Sequence, residues 1–416
     1  MAWLSPALVS LLALLAAIAI SFASRLNVGI AAIPLAWAVG AYARQPADAV
    51  LGGFPAALFV TLAGVTLLFA LAEANGTIGN LAARLAALAS GRSRILPLIV
   101  FGIACAISSA GPGAIPATAL VAPLAFAMAA PAAIPPFLTA LMVANGANAG
   151  NLSPLSAVGI IANTRMASVG LGGHETMVWG ANFIAHALVA TGAYTVLVRS
   201  VPRRPILDTT TAVEPIAPRQ LVTILVILAW IMAVVVFRAP LGLGAFAAAA
   251  ILVVSRAADE AGALRSMPWS AIVMVCGVTM LVTTAERAGG LQLFTSLLAT
   301  LATPATVNGV IAFVTGAIST ASSTSGVVLP TFLPTAPGLV QQVGGGDPLA
   351  VALSINVGAS LVDVSPLSTI GAICVAAIAA ADVARDLFRR MLIWGVSMTV
   401  VGAMLCQLFA GWFARL

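Results

Sequence analysis

Short hydroxyl and amide side chains gather at four places in an otherwise apolar chain. Ser108 and Ser109 precede Ala110-Gly111-Pro112-Gly113, and Asn148, Asn151 and Ser153 precede Pro154. Ser319, Thr320, Ser322, Ser323 and Thr324 cluster ahead of Pro330, and Ser365 precedes Pro366. Such groups beside turn-forming residues can donate to a carboxylate or lend neutral oxygens to a dehydrated Na⁺. One acid accompanies them, Asp363. There is no HExxH motif and no pair of acids at helical spacing inside an apolar run, so the chemistry on offer is binding rather than bond breaking.

What must position these groups is read from a repetition. GVTLLFALAEANG at 64–76 answers GVTMLVTTAERAG at 277–289, so Glu73 pairs with Glu286 (286 − 73 = 213). SPLS at 153–156 recurs at 365–368, and Pro116 and Pro123 are matched by Pro330 and Pro337. One order and nearly one offset mean two copies of one unit, which in a membrane protein is a mark of secondary transporters.

Residues are 61% hydrophobic and only 7% charged, and mean hydropathy is +1.12, more apolar surface than a soluble domain can hide. Apolar runs of bilayer-spanning length recur from end to end. The expected fold class is an all-α polytopic membrane protein: an inverted repeat of ten transmembrane helices, two re-entrant helical hairpins and two broken helices. Spans are expected near 3–22, 26–43, 50–72, 177–198, 219–237, 240–255, 269–285 and 388–413, with an amphipathic stretch at 76–92. The first hairpin has arms at 95–109 and 114–129, too short to span; the second covers 304–341. The broken helices are 135–163, interrupted at 148–154, and 348–378, interrupted at 360–366. The first repeat is then 1–198, with scaffold spans in 1–75 and hairpin plus broken helix in 94–163. A polar cytoplasmic linker follows at 199–218. The second repeat is 219–416, with scaffold in 219–287 and hairpin plus broken helix in 304–378.

All 18 basic residues are arginine. On the span map thirteen fall on one face and five on the other, the smaller set being Arg44, Arg165, Arg238, Arg287 and Arg415. Positive charge stays cytoplasmic, so both termini are expected outside and the hairpins enter from opposite faces. The net charge of +6 is read as this topology signal, not as nucleic-acid binding. Cys105, Cys276, Cys374 and Cys406 lie in apolar segments without metal spacing and read as buried thiols. His186 reads as a bonded packing residue, Arg165 as an interface anchor, and Glu73 and Glu286 as interfacial or interdomain groups. Asp363 differs, being an acid inside a predicted span, where acids are functional by default.

The runs GVTLLFALAEANGTIGNL, AGPGAIPATALVAPLAFAMA, NGANAGNLSPLSAVGIIAN, SSTSGVVLP and SLVDVSPLSTIGAICVA resemble the MatC-type malonate/dicarboxylate carriers, similar in plan to the divalent-anion:sodium symporters. The symporters carry Ser-Asn-Thr at their hairpin tips; this chain carries Ser108-Ser109-Ala110 and Ser322-Ser323-Thr324. The resemblance implies a cation-coupled carrier of a C3/C4 dicarboxylate such as malonate or succinate, working by an elevator movement in a lipid-embedded homodimer. The bacterial inner membrane is its expected location. Expected substrate-binding residues are Ser108, Ser109, Asn148, Asn151, Ser153, Ser322, Ser323, Thr324 and Ser365. A Na⁺ site is expected from Ser109, Asn151, Thr324 and Asp363, with Na⁺ or H⁺ as coupling ion and no other cofactor. A cation/proton antiporter or arsenite-type exporter of the same superfamily, with Asp363 as the exchanging group, is the alternative. Reporter fusions at the two ends test the topology: both termini should report an extracytoplasmic location, and termini on opposite sides would remove a span and the inverted relation with it.

Overall fold

The computed structural model describes residues 4–23, 26–87, 93–201, 215–237, 239–320, 323–378 and 380–415. Arg25, Arg92, Arg203, Arg204, Arg238, Ser322 and most of the expected linker lie outside them. Among the described residues all regular structure is helical. The first half runs α1 (Pro6–Ala23), α2 (Val28–Tyr42), α3 (Ala47–Leu51), α4 (Ala56–Ala74), α5 (Thr77–Ala87), α6 (Leu96–Ala110), α7 (Ala114–Ala129), α8 (Pro136–Asn151), α9 (Ala157–Ala167) and α10 (Glu175–Leu197). The second runs α11 (Pro218–Phe237), α12 (Leu241–Val254), α13 (Glu260–Ser266), α14 (Trp269–Arg287), α15 (Gly290–Ala299), α16 (Val307–Ser319), α17 (Leu329–Phe332), α18 (Ala336–Val343), α19 (Pro348–Leu361), α20 (Thr369–Ala376) and α21 (Ala381–Phe413).

The breaks are where the side chains dictate. α6 stops at Gly111 (φ 156°), where a Cβ would collide with the Phe69 ring, and α7 restarts after Gly113 (φ 83°). The helix before Pro154 runs through Asn148-Ala149-Gly150-Asn151 and breaks only at 152–156, later than the sequence implied. Asn145 explains part of this, since its Nδ2 donates back to the Leu141 carbonyl (2.9 Å) and keeps the turn closed. In the second half α19 gives way to a short 3₁₀ turn at Val362–Val364, and the extended residue is Ser365. Asp363 therefore sits in that turn, ahead of the break. The elements α3, α13 and α15 were not foreseen.

Four helical stretches among the described residues are long and apolar enough to cross a membrane: Ala47–Ala74, Glu175–Leu197, Pro348–Ala376 and Ala381–Phe413. The pair Ile272–Arg287 and Gly290–Ala299, bent by 88°, makes five if taken as one span. Other apolar helices are 10–17 residues long, such as Leu96–Ala110 and Val307–Ser319, so length alone does not reproduce the ten spans read from the sequence.

Glycine sets the close contacts. α6 packs on α8, where a Cβ at Gly146 would land on the backbone of Phe101. α16 packs on α19, where Gly358 meets the backbone of Ala312 in the same way. Gly29 of α2 lies against α14 and abuts Gly277, while Gly64 of α4 abuts Gly242 of α12. Lipid gives apolar faces little reason to leave it, so helices in a bilayer associate through such close backbone approach. A Gly146→Val substitution should cost about 1–3 kcal/mol by overpacking and lower the melting temperature in detergent by several degrees. Gly192→Ala on α10, where an added Cβ meets nothing within 4 Å, should leave it unchanged.

Candidate functional site

The interrupted segments meet. A cavity of about 270 Å³ is bounded by Pro112–Pro116 of the first hairpin, Asn151 and Ala157 at the first break, Ser323–Ser325 of the second hairpin, and Asp363 with Leu367–Ile370 at the second break. Its remaining wall comes from α4 (Leu62, Thr66) and from Pro268, Ile272 and Val275 in and before α14. Irregular backbone at membrane depth is tolerated where protein encloses it or water lines it, and this chamber supplies that setting.

Four helical segments begin at this chamber. Their first residues, Ala114, Ala157, Thr324 and Thr369, all line it. The first N–H groups of a helix have no intrahelical acceptor, and the helix dipole makes that end positive. Three of the starts share one local device, Ser-x-x-Gly. Ser156 Oγ accepts from Gly159 N (3.0 Å), Ser323 Oγ from Gly326 N (3.0 Å) and Ser368 Oγ from Gly371 N (3.5 Å). The glycines are required by space: a Cβ at Gly159 would strike the Ser153 carbonyl, and one at Gly371 the Ser365 carbonyl. At these three starts the cap takes the third N–H; at α7 the third residue is Pro116, which has none, and Asn151 Oδ1 takes the first, from Ala114. The N–H groups of the second residues, Ile115, Val158, Ser325 and Ile370, are left without an intrahelical acceptor, and these residues line the chamber. Such an array is suited to an anion.

The two breaks are wired alike. Ser156 Oγ donates to the Asn151 carbonyl, and Ser368 Oγ donates to the Asp363 carbonyl. Leu155 N donates to Ser153 Oγ (3.3 Å), and Leu367 N to Ser365 Oγ (3.3 Å). They differ in the residue that faces the chamber. Asn151 Oδ1 accepts from Ala114 N (2.9 Å), capping α7 across the break. Asp363 Oδ1 accepts from Thr324 Oγ1 (2.7 Å), which also shares a hydrogen bond with Ser319 Oγ. Asp363 is the one charged side chain among the described residues lining the chamber, and it is negative.

Of the expected site residues, the structure brings Asn151, Ser323, Thr324 and Asp363 to the chamber. The others it places behind the wall. Ser108 is buried with its hydroxyl unpartnered among the described residues, and Asn148 is buried with its whole amide likewise unpartnered. Ser153 Oγ donates to the Ser109 carbonyl (2.8 Å), and Ser109 Oγ lies 3.9 Å from Cys105 Sγ. Ser365 is fully buried at the second break. Ser322 lies outside the described residues. Of the expected Na⁺ set, Asn151, Thr324 and Asp363 line the one chamber, and Ser109 does not. The reading from sequence missed Ser156 and Ser368, whose threefold Ser-x-x-Gly spacing was the available signal, and the scaffold wall of Leu62, Thr66, Ile272 and Val275.

Interrupted helices thus close on a small chamber within a bundle of apolar helices. Residues 4–151 match the family described as dicarboxylate carrier protein MatC, N-terminus, so the MatC-type pattern is present over that stretch. The whole fold is similar to that of the YdaH transporter of Alcanivorax borkumensis, with a TM-score of 0.57 and 15% identity over 87% of each chain. No curated protein matches the chain in sequence. Ser368→Ala tests the local wiring. Loss of an N-cap costs about 0.5–2 kcal/mol, so the variant should melt measurably lower, and Ser397→Ala on α21, whose hydroxyl bonds only its own helix, should not.

Proposed function

We propose that the chain is a cation-coupled secondary carrier of a small organic dianion, of the C3/C4 dicarboxylate class that includes malonate and succinate. The observation that carries this is the chamber itself: four helix starts aimed at a volume of about 270 Å³ that holds no arginine and one carboxylate. The dipoles favour the anion's carboxylates, and Asp363 opposes them. An ionised carboxylate in that setting costs several kcal/mol unless a cation or proton matches it. Na⁺ or H⁺ at Asp363 is therefore the missing charge. For Na⁺, neutral oxygens stand close by: Thr324 Oγ1 bonded to Asp363 Oδ1 (2.7 Å), Ser319 Oγ bonded to Thr324, and the Ala359 carbonyl 3.5 Å from Thr324 Oγ1. Hard cations take such oxygen sets.

We further infer that the halves are inverted repeats that exchange the chamber between the two faces by an elevator movement. Reciprocal contacts support this. Gly29 meets Gly277, and their counterparts 213 residues on or back, Gly242 and Gly64, meet each other. Gly146 with Gly358, and Gly159 with Gly371, are likewise 212 residues apart and do the same work in each half. α2 and α4 pack on α14 and α12, joining the halves through their outer spans.

Binding linkage tests the reading. A ligand at about 100 times its Kd stabilises the folded state by about 2.7 kcal/mol. Purified protein should gain melting temperature with dicarboxylates, more so with Na⁺ or at lower pH, because coupling is reciprocal. Stabilisation by cations or protons with none by carboxylates would instead favour the antiporter alternative. In proteoliposomes Asp363→Asn, which copies the first break, should reduce coupled uptake at least tenfold, a change in barrier of about 1.4 kcal/mol, and alter its Na⁺ or pH dependence. Unchanged uptake with an unchanged cation response would remove Asp363 from the coupling.

A further inference from the structure

Behind the chamber, the seam between α8 and α10 holds a polar cluster that transport chemistry does not use. Asn145, Asn148, Asn182 and His186 are all fully buried. They join the helices at two levels: His186 Nδ1 lies 3.0 Å from Asn145 Oδ1, and Asn182 Nδ2 donates to the Asn148 carbonyl (2.7 Å). The partners fix each group's orientation. Asn145 Nδ2 is committed to the Leu141 carbonyl, so its Oδ1 is the acceptor and His186 Nδ1 carries the proton. His186 Nε2 is then a bare lone pair. Likewise Asn182, with Nδ2 committed, turns Oδ1 away as an acceptor.

None of these remaining atoms has a partner among the described residues: His186 Nε2, Asn182 Oδ1, and both Oδ1 and Nδ2 of Asn148. α19, which packs on both helices, carries two more such atoms, Asn356 Oδ1 and Ser360 Oγ. Leaving a buried polar atom unpaired costs about 1–3 kcal/mol, and native structures pair them with protein or ordered water. The set contains three acceptors and a donor on α8 and α10. A metal cation would satisfy the acceptors but face the Asn148 amide protons. An anion would face three lone pairs. Water supplies two O–H donors and accepts in return, which is what this set lacks.

We propose that the α8–α10 seam binds ordered internal water, held by His186 Nε2 and the side-chain amides of Asn148 and Asn182. Water donates to the imidazole and to Asn182 Oδ1 and accepts from Asn148 Nδ2. Asn148 is three residues, about 4.5 Å of helix rise, from Asn151 at the chamber wall. The inference is independent of which substrate is carried.

Radiolytic hydroxyl labelling of the purified full chain in ¹⁸O-exchanged water tests it, because a buried side chain is labelled this way when water is bound beside it. His186 should be labelled at a rate comparable to the half-exposed His174, and Asn182→Leu should lower that rate several-fold while the His174 rate stays unchanged. Asn148→Leu serves the same comparison if Asn182→Leu fails to fold. Absence of label on His186 in the unmodified protein overturns the site. So does labelling that the leucine variant leaves unchanged, or that tracks opening of α10 in amide hydrogen exchange.

Discussion

A helix cut inside a bilayer exposes backbone groups that no water from outside can reach, and the structure is organised around that constraint. Each break leaves N–H and C=O groups that would cost several kcal/mol if unmet. Ser156 and Ser368 answer both needs at once, accepting from an N–H three residues ahead and donating to a carbonyl five residues behind. Gly111 contributes its carbonyl to Ala157 N (3.1 Å), tying the first hairpin tip to the first break. What these caps do not take is left facing the chamber. On the proposed function, the binding capacity of the site is the part of the backbone that the fold leaves unsatisfied.

Such caps work only if the segments touch, and that explains the composition. The chain has 37 glycines, and those at the tight crossings stand where a methyl group would meet another backbone. A large side chain at Gly146 would push α6 off α8 and strain the bond of Ala114 N to Asn151 Oδ1, and one at Gly358 would push α16 off α19 and strain that of Thr324 Oγ1 to Asp363 Oδ1. The aliphatic residues fill the spaces between, and many of them face outward: Leu188, Phe409 and Trp412 on α10 and α21 are more than half exposed, as befits surfaces in contact with acyl chains.

Much of this was legible in the sequence because turn chemistry and repetition are local signals. Ser-Ala-Gly-Pro-Gly marked the first tip almost to the residue, and the two SPLS runs, 153–156 and 365–368, fall at the two helix breaks. What stayed hidden was helix phase. Ser108, Asn148 and Ser153 are as polar as Asn151, yet a rotation of one or two residues turns them into the seams of α6, α8 and α10 instead of the chamber. The exact stop of α8 was hidden for a related reason. Asn145 bonds within the helix and across to α10, and no pattern in the sequence distinguishes that from a break. The scaffold side of the chamber left little mark, since Leu62, Ile272 and Val275 resemble any membrane-facing residue and Thr66 bonds back to its own helix.

The two breaks are equal in wiring and unequal in one atom. Asn151 brings its own amide and uses its oxygen to cap α7, so the first half of the chamber is complete in the protein alone. Asp363, in the matching position, presents a carboxylate whose one side-chain donor is Thr324. A carboxylate oxygen has room for further positive partners, and none is supplied by the described residues around the chamber. On the proposed function this inequality is what makes the carrier coupled. A symmetric pair of asparagines would bind an anion by dipoles alone and release it with no reference to a gradient. On that proposal, exchanging one amide for a carboxylate makes occupancy by the anion depend on occupancy by a cation, and the difference between Asn151 and Asp363 is enough to do so.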